Sequence, residues 1–452
     1  MMLDSAAWQK LHGTLRGELL TPEHSDYDSA RRVFNVMIDK RPAAIARCTG
    51  AADVMACVRF AREHDAPVSV RGGGHSIAGK AVCDGGLMID LSRMKGIRVE
   101  PARRIAHAQP GLTLGEFDQE SQAFGLATPL GTVSMTGIAG LTLGGGIGWL
   151  MGKFGLACDN LLSVGVVTAE GRLLTASATE NEDLFWGVRG GAGNFGIVTE
   201  FQYRLHPLGP VLAGPVFYPV ACAREVLRFY RDLTAAAPDE LTAEAGFLTG
   251  PDGIPLVAII VCSCASLEEG ERILRPLRAF GSPSTDAIGA TSYLQHQKLF
   301  DPFFPPGQHH YWKSEFLAEL SDAAIEVLRT CAATRPSPQS FVILDNLHGA
   351  VTRVGPNETA FPHRRQLFSL LILATWSDPV DSGKNIQWAR QCWEAVQPFS
   401  AGAAYVNFLS EGEGDERVQA AYGTNHARLV ALKNKYDPTN FFRMNQNIRP
   451  SV

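Results

Sequence analysis

The spacing of apolar positions changes several times along the chain, and each change marks an element. Over residues 8–18 they recur at helical spacing, which predicts a short amphipathic helix. Residues 42–48 read as a strand, and the polar stretch 49–53 supplies a capping signal for a helix over 54–65. A second strand over 67–70 runs into Arg71-Gly72-Gly73-Gly74-His75-Ser76, and the chain returns through Gly85-Gly86 into the apolar run 87–91. Short strands are expected at 97–99 and 105–108, then a helix over 112–124. The β-branched run 161–168 predicts a strand, 169–172 a turn and 173–176 its partner. Residues 183–189 read as a short helix, and 197–205 alternate as a strand does.

Beyond His206-Pro207 the pattern changes character. Alternating runs at 216–220, 243–248 and 256–262 are interspersed with helical patterns at 223–235, 267–278 and 322–334. This predicts an antiparallel sheet backed by helices, with one face free for a ligand. A further strand is expected at 341–344, ahead of His348. The proline- and aromatic-rich loop 301–307 either borders a substrate entrance or is ordinary surface.

At 452 residues the chain exceeds one ordinary core, so two domains are expected. The net charge is −5 without any run of like charge. Arg103-Arg104 and His363-Arg364-Arg365 are short clusters expected at the surface, which argues against a nucleic-acid partner. Nine cysteines without CxxC spacing predict mostly reduced, buried thiols. No signal-peptide pattern opens the sequence and no apolar run reaches spanning length, so a cytoplasmic protein without a membrane partner is expected. No metal site is expected.

The candidate chemistry lies in two glycine stretches. Three consecutive glycines after a strand remove every Cβ from the turn, let backbone approach a ligand, and allow successive N–H groups to form an anion nest. His75 ends that loop and aims a ring nitrogen at whatever the nest holds. The second stretch, 131–150, carries seven glycines (Gly131, Gly137, Gly140, Gly144, Gly145, Gly146 and Gly148) among Thr132, Val133, Thr136, Leu141 and similar residues. Helix and strand both disfavour that composition. A backbone lining a flat aromatic ligand with a phosphate tail suits it.

These stretches resemble the FAD-linked oxidases of the vanillyl-alcohol oxidase type, and more closely the berberine-bridge-enzyme-like branch. Tyr405-Val406-Asn407 is similar to that family's Tyr-x-Asn motif, and residues 435–448 match its C-terminal signature. The resemblance implies an α+β fold: a two-lobed PCMH-type FAD-binding domain over 1–207, a substrate domain over 208–405 with an antiparallel sheet backed by helices, and a segment over 406–452 that returns to the FAD domain. It implies FAD held by the Arg71–Ser76 loop and the 131–148 stretch, edged by Ile197 and Val198, reached by Asn445 and Asn447, and bonded through its 8α position to His75. Members with two covalent linkages carry a cysteine upstream of the triple glycine. The matching position here is Val133, so a single linkage is implied, with Cys158 as runner-up flavin neighbour.

The implied activity takes a hydride from a C–H beside an alcohol or amine of a small molecule and passes the electrons to molecular oxygen, forming hydrogen peroxide. Tyr405 with Asn407 is the implied proton-removing group, and His348 the alternative if it lies on the facing strand. Some plant members use a glutamate before the Phe-Pro-His-Arg motif; counted back from Phe361, its place here is Arg353. Residues 191–196 spell GxGxxG but follow a helical pattern and lead into a strand, so a Rossmann nicotinamide site is not expected. Two alternatives stand beside the oxidase: a dehydrogenase of the same fold using another acceptor, and a redox-neutral cyclase or binding flavoprotein. Substrate identity and oligomeric state are not legible in the sequence.

Overall fold

The computed structural model describes residues 5–365 and 367–451. Three sheets organise it. The first holds Ala44–Arg47 and Val68–Arg71 parallel to a central Leu87–Asp90, with Glu18–Leu20 antiparallel at the edge. Helix Ala51–Glu63 buries Val54, Cys57, Val58 and Ala61 against it, as its spacing demands. The expected helix over 8–18 is shorter, Ser5–His12, because the chain leaves it to pair Glu18–Leu20 with the sheet. Asp53 does not cap its helix but gathers the backbone N–H groups of Arg16, Gly17 and Thr49, tying the N-terminal segment down.

The second sheet is antiparallel, in the order Ile97–Glu100, Ile105–Ala108, Ile197–Arg204, Leu161–Val167, Leu173–Ser177. Residues 191–196 lie between helix Glu182–Val188 and strand Ile197–Arg204, the reverse of what a dinucleotide fingerprint needs. Helix Leu114–Gln122 starts at a Thr113–Glu116 capping box.

The third sheet is large and antiparallel. Its main strands run Val211–Pro219, Pro255–Ser263, Leu241–Thr249, Phe341–Leu347, Leu367–Trp376, His309–Leu317. Helices Ala223–Ala235, Leu267–Arg278, Asp322–Ala333 and Ser382–Val396 cover one face, where Tyr230, Leu274, Leu328 and Trp388 pack with Val342, Leu344 and Ile372. The opposite face looks toward the two smaller sheets.

After this sheet the chain returns. Helices Asp415–Tyr422 and His426–Tyr436 and the tail place Tyr422, Leu429, Leu432 and Ile448 in one apolar core with Phe195 and Phe201 of the second lobe. A buried ion pair anchors the return: Lys433 Nζ donates to Asp437 at 2.7 Å and to the carbonyls of Asn194 and Phe442 at 2.9 and 2.8 Å. The second Asp437 function is to accept the N–H groups of Phe441 and Phe442, so both ends of the pair are fully bonded. Arg364, expected at the surface, is instead 4% exposed, because its guanidinium grips Asp159 through two 2.7 Å bonds. Among the described residues no helix is long and apolar enough to cross a membrane, and the cysteines are free.

Removing one partner of a buried pair leaves the other charge uncompensated, at a cost of about 3–5 kcal/mol. Asp437→Ala is therefore expected to lower the unfolding free energy measured by urea titration by an amount in that range, seen as a lower midpoint at unchanged m-value. A change below about 1 kcal/mol would show that the returning tail is held by its apolar contacts alone.

Candidate functional site

A cavity of about 380 Å³ lies where the two lobes meet the uncovered face of the large sheet. The glycine stretches form its lobe wall, and they pack backbone on backbone. A Cβ on Gly73 would stand 2.6 Å from the Gly137 Cα, and one on Gly137 would stand 2.5 Å from the Gly73 nitrogen. Glycine is therefore required at both positions by contact. Gly72, Gly73, Gly74, His75, Ser76, Gly131, Thr132, Val133, Thr136, Gly137, Gly140 and Leu141 all border the cavity, and Ile197, Val198 and Asn445 close it. Among the described residues the backbone N–H groups of Gly72, Gly73, Gly74 and His75 donate to nothing, which leaves them free to form a nest. Arg71 braces the loop from behind: Nη1 donates to the Ala30 carbonyl at 2.5 Å, and the side chain does not border the cavity.

His75 is fixed by stacking. Its ring lies 3.9 Å from the Phe34 ring at 17°, and Phe34 in turn lies 4.4 Å from His310 at 14°. Burial disfavours the imidazolium and lowers the His75 pKa to about 4, so the ring is neutral at physiological pH. Its Nε2 is buried without a hydrogen-bond partner. Asn35 holds this arrangement together, donating to the carbonyls of Ile77 at 3.1 Å and His310 at 2.9 Å while accepting the His310 N–H. Phe34 and Asn35 carry no signal in the sequence, since they lie in an irregular segment without periodicity.

The remaining glycines of the second stretch serve a different neighbour. Gly144, Gly145, Gly146 and Gly148, read as cofactor-binding, do not border the cavity. A Cβ on Gly144 would meet Asn407 Oδ1 at 2.1 Å, and one on Gly145 would meet the Phe361 ring at 2.8 Å. Positive φ at Gly145 (126°) and Gly146 (89°) adds a backbone reason. Gly144 and Gly146 thus receive Asn407 and the Tyr405 hydroxyl, while Gly148 packs against the backbone of Leu130 and Gly131. Tyr405 and Asn407 were expected on one strand face; residues 406–408 form a 3₁₀ turn instead, yet the two side chains still meet. The Tyr405 hydroxyl oxygen accepts the Gly146 N–H at 2.9 Å and an Asn407 Nδ2–H at 2.8 Å, and Asn407 also donates to the Leu141 carbonyl. Burial raises the Tyr405 pKa, and the two donors work against that rise. Both residues border the cavity.

The opposite wall is the large sheet. Leu248, Ile260, Phe341, Ile343, Leu371 and Leu373 make it apolar, and Phe303 and Phe304 of the 301–307 loop close its end. Two carboxyls, Glu244 and Asp345, also face the cavity. The sequence reading missed them, although Phe341, Ile343 and Asp345 share one strand face at period two. Other expected groups lie elsewhere. His348 stands past the end of its strand against Gly152, outside the cavity lining, because the chain turns away at Gly349 (φ 60°). Arg353 is on the surface, paired with Asp239 at 2.5 Å. Asn447 is half-buried, with its Oδ1 buried, and lies outside the lining. Cys158 is a packed thiol whose pKa burial raises; its N–H donates to Gly145, and it does not border the cavity.

Residues 42–177 match the FAD binding domain family, and residues 404–449 match the family described as berberine and berberine like. The chain is 31% identical over 421 residues to an FAD-linked oxidoreductase of Dictyostelium discoideum, covering 92% of this chain and 91% of that protein. It is 31% identical over 453 residues to the (R)-6-hydroxynicotine oxidase of Paenarthrobacter nicotinovorans, covering 97% of each. The crystal structure of 6-hydroxy-D-nicotine oxidase from Arthrobacter nicotinovorans superimposes with a TM-score of 0.88 at 30% identity, over 97% of this chain and 98% of that one. With the FAD-domain lobes, the helix-backed antiparallel sheet and the returning C-terminal segment all in place, the chain belongs to the berberine-bridge-enzyme-like FAD-linked oxidoreductases.

Proposed function

We propose that this protein is an oxidase whose FAD, attached through His75, takes a hydride from a C–H beside an alcohol or amine of a small molecule and passes the electrons to molecular oxygen, forming hydrogen peroxide. The observation that carries this reading is a neutral imidazole that borders the cavity, is stacked in place and has a buried Nε2 without a partner.

The residues present fit FAD. The free N–H groups from Gly72 to His75 suit a pyrophosphate, and a Cβ on Gly140 or Gly193 would project into open space with nothing within 4 Å. Asn445 Oδ1 is a further buried acceptor without a donor. In this reading Gly72, Gly73, Gly74, Ser76, Thr132, Thr136, Gly137 and Gly140 hold the cofactor, Gly131 and Leu141 shape the wall, and Ile197, Val198 and Asn445 close it. Val133 borders the same space and offers no thiolate, so His75 is the single attachment point. The reading divides the chain into an FAD-binding domain over 1–207, a substrate domain over 208–405 and a returning segment over 406–452; the separate apolar cores of the large sheet and the second lobe support it. A cytoplasmic location belongs to the same reading.

Tyr405 is the group that removes the substrate O–H or N–H proton. The Gly146 and Asn407 donors aim its oxygen and offset part of the rise that burial imposes on its pKa. General-base assistance of this kind contributes about 10²–10⁴-fold.

Two measurements test these assignments. Acid-precipitated parent protein is expected to keep its yellow colour in the pellet, and His75→Ala to release it to the supernatant; colour retained in the mutant pellet would move the linkage elsewhere. With any substrate that reduces the parent's flavin anaerobically, Tyr405→Phe is expected to slow reduction about 10²–10⁴-fold while leaving the resting flavin spectrum unchanged. A rate within threefold of the parent would remove Tyr405 from proton transfer.

A further inference from the structure

The sheet wall of the cavity carries a feature that the proposed function does not use. Glu244 and Asp345 sit opposite each other in register on adjacent antiparallel strands, 3% and 6% exposed, and both border the cavity. Their strand neighbours Ala243, Ala245 and Leu344 belong to the helix-covered core on the other face. Two opposed carboxyls in such a place do not both ionise. Burial, and then the neighbouring Asp345, raise Glu244 well above its ordinary range; burial raises Asp345 to about 6 although hydrogen bonds to Glu244 and Ser369 work against that rise, so near neutrality the pair holds one proton and one negative charge.

That charge has no counter-ion in the described chain. Besides burial and each other, only the Ser369 hydroxyl acts on the two carboxyls. Lys80, a cation that borders the cavity, is not among the groups acting on them. A buried, uncompensated carboxylate costs folding stability, and apolar residues would complete this wall without that cost. Ile260 pairs with Glu244 on the neighbouring strand, and the same wall of the cavity carries Phe341, Ile343 and Leu371.

We propose that the Glu244–Asp345 pair docks a cationic nitrogen, so that the substrate is a protonated amine carried on a compact apolar or aromatic body, rather than a sugar or a neutral alcohol. The inference rests on the oxidase reading and narrows its substrate class. An ammonium neutralises the pair's single charge and brings N–H donors to carboxylate oxygens, the strongest kind of hydrogen bond available here. The aliphatic and aromatic wall takes the rest of the molecule. A polyhydroxylated ligand needs a partner for each buried hydroxyl, and this wall offers little beyond the acid pair and the Tyr405–Asn407 edge.

The test uses the flavin-bearing parent protein and a panel of arylamines paired with neutral isosteres: benzylamine with benzyl alcohol, 4-phenylpiperidine with 4-phenyltetrahydropyran, and their N-methyl and O-methyl derivatives. Binding is read as perturbation of the visible flavin spectrum. At least one amine is expected to bind tenfold or more tightly than its isostere. In E244Q, D345N and the double variant that preference is expected to fall at least tenfold, with less than threefold change for the isostere, while E244D and D345E keep it. A panel in which no amine is preferred tenfold overturns the inference, as does a preference that survives in the folded double variant. Should the amide variants not fold, the parent panel with the charge-conserving variants decides. A folded parent without flavin absorption would instead deny the oxidase reading, so the two failures are distinguishable.

Discussion

The close approach of Gly73 to Gly137 is the contact on which the site depends. Two chain segments far apart in sequence touch through bare backbone, which brings the histidine loop against the second glycine stretch and leaves the cavity between them and the large sheet. A methyl group at either position would force the segments apart, since it would fall well inside van der Waals distance of the other backbone. The same stretch works on its other side. Gly144 and Gly145 accept Asn407 and Phe361 at distances no side chain allows, so one glycine-rich segment both walls the cavity and seats Asn407 of the returning chain beside Phe361.

Around that joint, polar groups are used sparingly and each has a stated environment. His75 is kept neutral by burial and held flat against Phe34, which leaves its nitrogen available rather than protonated. Tyr405 is pulled in two directions, by burial toward the phenol and by two donors toward the phenolate. Glu244 and Asp345 share a proton inside an otherwise apolar wall. A site of this kind binds an apolar body and reads it at a few polar points, the usual division of labour in small-molecule cavities.

The interfaces that hold the architecture together are also polar but differ in kind. Lys433 with Asp437, and Arg364 with Asp159, are paired and saturated with further hydrogen bonds, so their burial is compensated. The acid pair of the cavity is the contrasting case, a charge left without a partner by the chain itself. Saturated pairs join elements, while the unsaturated one faces the cavity.

Much of this was legible from residues alone. The strand–helix–strand opening, the separate strands of the second sheet and the helices Ala223–Ala235 and Leu267–Arg278 follow from periodicity and lie where the pattern puts them. The His75 loop, the glycine stretch and the C-terminal signature carry the family resemblance in the sequence itself. Other elements left no local trace. The strand Leu367–Trp376 is apolar on both faces and so lacks alternation, and helix Ser382–Val396 went unread beside it. Composition could not divide the glycines between cofactor and packing, because that depends on what lies opposite each one. Counting along the chain toward a base led to surface-exposed Arg353, while register brought Asp345 against Glu244 and turned both to the cavity. Local chemistry determines which residues can turn, cap or alternate, and that is written in sequence; which side chains meet across a sheet is decided only when distant strands pair, because register is a property of two segments and of neither alone.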